Sequence, residues 1–281
     1  MNSALKQAAI LAGAAAIAVL VPPGAIVDVS AQQAGTEKKS VRFSTIVKRA
    51  KSGNAEAQLA LGEAYENGRN VPVDFLKAAK WYKRALRQGN IEATFRLARL
   101  VHRGGGKLAK SPELAAELYQ RAARQGHPSS QNWLGYCNQF GFGVTQDYAK
   151  ALNWYRKAAE QGDPAAQNNL GMLYLSGKGV SRDFIKAAQH FADAVKKRYP
   201  WAENNLGGLY EMGWGVRKNM KRATDLYRAA AASGNEKAKK NLKRLALARA
   251  ASSAAQEAQQ QTSAPGQVTT SNGQVRITIG E

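Results

Sequence analysis

The sequence predicts an all-α fold in which similar helix pairs stack on one another into a solenoid. Three observations support this: a fixed period, two amphipathic helical patterns in each period, and a capping residue before the second helix of each pair. A segment like residues 162–197 recurs from about residue 41 to residue 249, at intervals of 36 or 37 residues. A period of this length with two helices per unit is typical of α-solenoids. The copies start at Gly53, Gly89, Gly126, Gly162, Arg198 (in place of glycine) and Gly234.

Each copy contains the residues that two packed helices need. A leucine lies eight residues after each start, and in the full copies the next residue is Gly or Ala, which lets the second helix approach closely. The second helix carries an aromatic residue that we expect in the core: Tyr82, Tyr119, Tyr155, Phe191 and Tyr227. The second helix of each copy is preceded by a residue whose side chain can cap free amide groups: Asp74, Ser111, Asp147, Asp183 and Asn219.

The turn between the two helices reads Gly-x-Gly-Val in three copies, at residues 141–144, 177–180 and 213–216. A dinucleotide-binding loop would follow a strand, whereas these turns follow a helix, so we interpret them as structural. Copy two is one residue longer than the others, and we place the extra residue in the turn at Gly104-Gly105-Gly106.

The repeated residues follow the pattern G-D/N-x-x-A-x-x-x-L-G-x-x-Y-x-x-G-x-G-V-x-x-D-x-x-K-A-x-x-W/Y-Y-x-x-A-A, which resembles the Sel1-like repeat, a relative of the tetratricopeptide repeat. The resemblance covers five full copies and a partial sixth. It implies a right-handed superhelix of antiparallel helix pairs that serves as a protein-binding scaffold. Half-repeats at residues 41–52 and 234–249 are expected to cap the two ends, because each unit buries its apolar face only against neighbours.

The two ends of the chain differ from the solenoid. Residues 1–31 resemble a secretory signal peptide, with Lys6 before an apolar run of 14 residues and a cleavage site after about Ala31. An uncleaved inner-membrane anchor is the alternative. Residues 32–40 are a polar linker, and residues 250–281 are a low-complexity tail. Within the tail, alternating β-formers around Asn272-Gly273 indicate a short hairpin. A frayed tail and a strand that adds to a partner's sheet remain open.

The sequence predicts no enzymatic activity, no metal and no cofactor. His102, His127 and His190 stand at different repeat positions and lack the spacing of metal ligands. His127 is expected to cap a helix, and His190 replaces a tryptophan of other copies. Cys137, the single cysteine, takes an apolar position and is expected to be a buried, inert thiol.

A row of polar residues is the first candidate for binding. At the sixth and seventh places after the starts, the first helices repeatedly carry asparagine, whose carboxamide both donates and accepts and can hold the backbone of an extended peptide. Satisfaction of contacts between repeats is the structural alternative. The predicted row on the concave face is Arg96, Asn132, Trp133, Asn168, Asn169, Asn204, Asn205 and Asn241.

A basic surface near the C-terminus is the second candidate. The chain has 281 residues and a formal net charge of +21, and residues 214–249 contribute eleven basic residues against two acidic ones. The electric field of a positively charged surface speeds its encounter with negatively charged molecules. In an exported protein this points to an acidic protein, polysaccharide or anionic lipid and not to nucleic acid. The predicted patch is Arg217, Lys218, Lys221, Arg222, Lys237, Lys239, Lys240, Lys243 and Arg244.

Two functions are therefore expected from the sequence. The first is a non-enzymatic periplasmic scaffold that binds a partner protein or peptide of the cell envelope on its concave face. Signalling, exopolysaccharide control and cell-wall assembly are the processes in which Sel1-like adaptors are found. The alternative is binding of an anionic polysaccharide or membrane surface through the basic patch. The oligomeric state is left open.

Overall fold

The computed structural model describes residues 43–262, 268–271 and 274–277, and these contain twelve helices and two strands. Helices α2 to α11 form five consecutive pairs, repeats 1 to 5, and each helix packs against the next one along the chain. The solenoid of five helix pairs predicted from the sequence is confirmed. The helices are α1 (residues 43–51), α2 (Ala55–Asn67), α3 (Phe75–Arg87), α4 (Ile91–Arg103), α5 (Pro112–Arg124), α6 (Pro128–Phe140), α7 (Tyr148–Glu160), α8 (Pro164–Ser176), α9 (Phe184–Lys196), α10 (Pro200–Met212), α11 (Met220–Ala232) and α12 (Glu236–Thr262).

Side chains at the N-termini explain where most of these helices begin. The carboxylate or carboxamide of the N-cap residue accepts a hydrogen bond from the amide three residues on, as predicted for Asp74, Asp147, Asp183 and Asn219. Ser111 is the exception: it occupies the N-cap position of α5, but its side chain makes no capping bond, and the prediction of a cap there was wrong. Pro112 follows it and needs no amide partner, so this helix start depends less on a cap.

The core is a series of clusters of small residues and aromatic rings along the solenoid. Tyr82, Tyr155 and Phe191 are fully buried, and the alanines that pack beside them are buried as well. The small residue after the first-helix leucine faces these rings: a Cβ at Gly171 would lie 2.5 Å from Cε1 of Phe191. The predicted core is confirmed, and its tight packing explains the glycine at that point in repeats 1, 3, 4 and 5, whereas repeat 2 accommodates Ala98 there.

The second glycine of each Gly-x-Gly-Val turn lies against the preceding repeat. Gly143 has a φ of +68°, and a Cβ there would overlap the backbone carbonyl of Pro112 at the start of α5. Gly215 approaches Phe184 of α9 in the same way. The motif is therefore a contact between repeats, in agreement with the structural interpretation of these turns.

The residue at the start of each repeat has a left-handed backbone conformation. Gly162 and Gly234 have φ angles of +80° and +85°, and Arg198 adopts φ = +54° in the equivalent place. Glycine takes this conformation at little cost, whereas other residues do so rarely. Arg198 thus preserves the geometry of the repeat at some cost in strain.

The solenoid is closed at its first end by α1, whose Phe43, Ile46 and Val47 pack with buried Ala50 against repeat 1. At the other end α12 packs on α11 and continues to Thr262. Strands β1 (Val268–Ser271) and β2 (Gln274–Ile277) pair in antiparallel fashion, with Val268 opposite Ile277. The predicted signal segment, linker and hairpin turn lie outside the described residues. No helix in the described part of the chain has the length and apolarity to span a bilayer.

Candidate functional site

The asparagines predicted to line the concave face form a chain of hydrogen bonds between repeats, here called the asparagine ladder. Asn169 Nδ2 donates to Asn132 Oδ1 at 2.9 Å, which joins repeat 4 to repeat 3. The same bond recurs twice more along the solenoid. Asn205 donates to Asn168 at 2.9 Å, and Asn241 donates to Asn204 at 3.0 Å, so these asparagines do make the contacts between repeats that the structural alternative expected.

The two members of each rung differ in exposure. Asn132, Asn168 and Asn204 are at least nine-tenths buried, whereas Asn169, Asn205 and Asn241 are half-buried. Within one repeat the bond is long, with Asn168 Nδ2 3.4 Å from Asn169 Oδ1. A carboxamide has two donor hydrogens and two acceptor lone pairs, so one short bond per group leaves capacity for another partner.

Arg96, predicted as part of the same row, belongs to an ionic cluster instead. Its guanidinium contacts Glu92 Oε1 at 2.6 Å and Glu63 Oε1 at 3.1 Å. Glu92 also contacts His127 Nε2 at 3.2 Å. The hydrogen bond from His127, together with Arg96, lowers the pKa of Glu92 to about 2. His127 Nδ1 accepts from the Ser130 amide, which confirms the predicted cap of α6.

Trp133, the other irregular member of the row, belongs to an aromatic cluster between repeats 2 and 3. Its ring stacks on Tyr119, with centroids 5.6 Å apart and planes 7° apart. His102 lies edge-on to Trp133 at 5.0 Å and packs on Phe142 at 4.2 Å. The sequence analysis rejected His102 as a metal ligand and did not single out Phe142. The available signal was His102 itself, which stands thirteen residues after the repeat start, where repeats 1, 3 and 5 have Glu or Gln.

The predicted basic patch is only partly a group of free charges. Arg217, Lys218 and Arg222 line one shallow surface cavity of about 580 Å³ beside Tyr210, and the Arg222 guanidinium lies 5.1 Å from the Tyr210 ring centroid. Arg244 is paired with Glu211 at 2.7 Å. Lys239 is likewise paired with Glu236 at 2.7 Å.

The remaining patch members lie on or near α12. The ammonium of Lys237 lies 5.9 Å from the ring centroid of Trp201. Lys221 lines a neighbouring cavity with Arg222. Lys240 and Lys243 are exposed on α12.

The remaining reactive side chains have structural roles. Cys137 is fully buried, and burial raises the pKa of its thiol to about 12, so the prediction of a buried, inert thiol is supported. His190 stacks on Tyr174 and contacts Gln167 Oε1 at 2.8 Å through Nδ1. Among the described residues no three His, Cys, Asp or Glu side chains gather in a group that could hold a metal ion.

Comparison with known proteins agrees with this architecture. The family model described as Sel1 repeat matches residues 55–90, 91–127, 128–163, 164–197 and 202–235. A Sel1 repeat protein from Oxalobacter formigenes is 35% identical, with a TM-score of 0.63, over 72% of this chain and 59% of that one. A protective antigen present in uropathogenic Escherichia coli strains is 34% identical, with a TM-score of 0.64, over 71% of this chain and 43% of that one.

One curated relative also matches. Chitin synthase regulatory factor 3 of Schizosaccharomyces pombe is 35% identical over 104 residues, which are 36% of this chain and 11% of that protein. The chain thus spans a small part of the curated relative and about half the length of the solved structures. Proteins built of this repeat generally act as scaffolds for protein–protein interaction and are generally not enzymes. Five matched repeats, covering more than half of its residues, show that the chain belongs to the Sel1 repeat family.

Proposed function

We propose that this protein is a non-enzymatic scaffold that binds an extended segment of a partner protein along the concave face of its solenoid. The asparagine ladder is the observation that carries this proposal. It offers half-buried carboxamides at a regular spacing, and each retains hydrogen-bonding capacity after its bond to the next repeat. An extended peptide presents backbone donors and acceptors in a similarly regular row.

The proposed setting is the cell envelope. A signal peptide over residues 1–31 would export the chain to the periplasm, and the net charge of +21 would favour acidic partners there. The similarity to a protein named as a chitin synthase regulatory factor supports a role in regulating an envelope process over a role in general metabolism.

Site-specific photo-crosslinking in cells tests this proposal. A photoreactive residue is placed at position 169 or 205 in the ladder. The control carries it at position 150, where the Lys150 side chain is 69% exposed on the second helix of repeat 3. We expect the same partner protein to be captured at both ladder positions and not at position 150. Equal capture at all three positions would contradict binding along the ladder.

Binding of an anionic polysaccharide or membrane surface through the basic patch is the second candidate. The observation in its favour is the cavity that Arg217, Lys218 and Arg222 share. Because surface charge attraction is screened at high ionic strength, such a complex should dissociate in about 0.5 M salt. Adducts that form only with the photoreactive residue at exposed position 240 of α12, and that fail to form when extract is crosslinked in about 0.5 M salt, would favour this function over the first.

A further inference from the structure

A cavity of about 390 Å³ opens where repeats 1, 2 and 3 meet. Its walls include the rings of Tyr119, Trp133, His102 and Phe142. Most of its other lining residues come from the first helices of these repeats, which also carry the ladder row. We call it the aromatic pocket.

Two residues that line this pocket each have a buried polar atom that lacks a partner within the described part of the chain. These atoms are the hydroxyl of Tyr119 and Nδ1 of His102. Tyr119 is fully buried, so its hydroxyl carries the cost of desolvation without a compensating hydrogen bond. Native structures seldom leave such groups unpaired, and the ones that are unpaired call for an explanation.

In repeats 1, 3 and 5 the corresponding tyrosine hydroxyl has a hydrogen-bond acceptor. Tyr82 donates to Glu66 Oε2 at 2.6 Å, and Tyr155 donates to Gln139 Oε1 at 2.8 Å. In repeat 5, Tyr227 donates to Glu211 Oε2, also at 2.8 Å.

Repeat 4 lacks both the tyrosine hydroxyl and its acceptor. The ring there is Phe191, and the acceptor position is Leu175. Hydroxyl and acceptor are therefore kept together or lost together in four repeats. Repeat 2 alone keeps the tyrosine hydroxyl and replaces the acceptor with His102.

The rim of the pocket is cationic. Arg99, Arg103 and Lys110 are exposed and line it. The one carboxylate in the lining, Glu66, already accepts from Tyr82 and contacts Arg103 at 3.5 Å. Burial and the nearby Lys110 charge lower the pKa of His102, so the imidazole is neutral near pH 7. The ring centroids of His102 and Tyr119 lie 6.2 Å apart, and a neutral imidazole with its hydrogen on Nδ1 would be a second donor in this cluster.

We propose that the aromatic pocket binds a carboxylate of the partner peptide, with Tyr119 and His102 donating to its oxygens and the aromatic walls contacting the adjoining carbon atoms. Hydrogen bonds from buried donors to an ionised group are stronger than those between neutral groups. The cationic rim would attract the anion before it enters the pocket. This proposal rests on the proposed function, because it makes the pocket an anchoring point beside the ladder row.

Small carboxylates test the pocket without the partner. N-acetyl-leucine represents a peptide C-terminus, N-acetylglutamate with an amidated α-carboxyl group represents an acidic side chain, and N-acetyl-leucinamide is the neutral control. Binding is followed through the indole N–H signal of Trp133 in NMR titrations of the full chain. We expect at least one carboxylate to bind and the neutral amide to bind at least tenfold more weakly. Equal binding of the amide, or equal binding of inorganic phosphate, would overturn the assignment.

Two variants separate a binding role from a structural one. Tyr119→Phe should weaken carboxylate binding about tenfold, the loss expected for a hydrogen bond to a charged group, and leave the melting temperature unchanged or higher. The matched control is Tyr155→Phe, which removes a hydroxyl that already has a partner. It should lower the melting temperature and leave binding unchanged. A lower melting temperature for Tyr119→Phe would show that this hydroxyl also has an internal partner, contrary to the proposal.

His102→Gln provides an independent test. It restores the acceptor that Gln139 supplies in repeat 3, so it should raise the melting temperature and abolish carboxylate binding. Unchanged binding would refute the proposal. Failure of the pocket is distinguishable from failure of the scaffold. If Tyr119→Phe leaves carboxylate binding unchanged and a partner is still captured at positions 169 and 205, the pocket alone is rejected. If carboxylates bind but no partner is captured, the scaffold is rejected.

Discussion

Repeats 2 and 3 have the same helix-pair architecture, but the hydrogen-bond partners of their buried polar groups differ. In repeat 3, Gln131 donates to the carbonyl of Ala123 in the preceding repeat at 3.2 Å and accepts from Gln161 at 2.8 Å. Repeat 2 has Thr94 in the place of Gln131, and its hydroxyl bonds within its own helix, to the carbonyl of Asn90. The bond from Gln131 to the Ala123 carbonyl therefore joins repeat 3 to repeat 2, whereas the Thr94 bond of repeat 2 joins it to no neighbour.

The same contrast holds for the aromatic residue of the second helix. Tyr155 of repeat 3 has its hydroxyl partner, and Tyr119 of repeat 2 has none among the described residues. Positions that recur in every repeat can be explained by stacking alone. Repeat 2 keeps the core but lacks, within the described residues, the hydrogen-bond partner of its tyrosine hydroxyl, which lowers its stability. Such a departure from the repeat pattern indicates a binding surface.

The largest effect is expected from the turns, where the two repeats also differ. Gly143→Ala places a Cβ against the carbonyl of Pro112 and forces alanine into a left-handed conformation, so the free energy of unfolding should fall by about 3 kcal/mol. Gly106 in the turn of repeat 2 has φ = +55°, but the nearest atom to its Cβ is 3.8 Å away, on Phe75. Gly106→Ala should therefore lose only about 1 kcal/mol.

Denaturant unfolding of the two variants measures this difference. Equal losses would show that the Gly-x-Gly-Val turn is retained for its backbone conformation and not for the close approach between repeats. A smaller loss for Gly143→Ala than for Gly106→Ala would contradict the contact between α5 and the turn of repeat 3.

Glu203 of repeat 5 provides a second test, because it departs from the pattern without opening a pocket. It is buried in the position of Gln131 and Gln167, and one of its carboxylate oxygens has no partner in the described part of the chain. Gln167 donates to the carbonyl of Ala159, a bond that an ionised carboxylate cannot make. Glu203→Gln should therefore stabilise the protein at pH 7 by about 1 kcal/mol.

The pH dependence of Glu203 follows from the same burial. Desolvation raises the pKa of Glu203 above its ordinary value of 4.5, so the folded state holds its proton to higher pH than the unfolded state does. The unfolded state loses that proton first, and stability falls as the pH rises from 4.5 through the folded-state pKa. The advantage of Glu203→Gln should accordingly grow over this range and be smallest near pH 4. A constant difference between the two proteins from pH 4 to pH 7 would exclude this origin.

The sequence predicted the fold in some detail because the fold is local and periodic. The capping side chain of Asp147, the buried ring of Tyr155 and the place of Arg198 at a repeat start each follow from a comparison of one copy with the next. These features depend on neighbours within one helix pair, and the repeat period places them without any knowledge of long-range contacts.

The candidate sites depended on contacts between repeats, which the pattern alone does not supply. The asparagines of the ladder were identified as a row, but their pairing of the sixth place with the seventh place of the next repeat requires the stacking geometry. Trp133 was placed in that row, whereas its ring packs on Tyr119 of the preceding repeat. The significance of His102 appears only when its position is known to face a tyrosine hydroxyl in the other repeats.

The smallest effect is expected at the start of repeat 5, where Arg198 takes the place of glycine. Arg198→Gly should raise the free energy of unfolding by about 0.5 kcal/mol, because relief of the left-handed strain exceeds the entropy that glycine adds to the unfolded chain. The reverse change, Gly162→Arg, should lose a similar amount, since no atom lies within 4 Å of a Cβ built at Gly162 and conformation is the main difference. Both variants are compared by thermal unfolding at pH 4. At this pH Glu203 is largely neutral, so the loss of its attraction to Arg198 contributes little to the measured difference. Stabilisation by both changes, or by neither, would mean that the backbone conformation at the repeat start is not what selects glycine there.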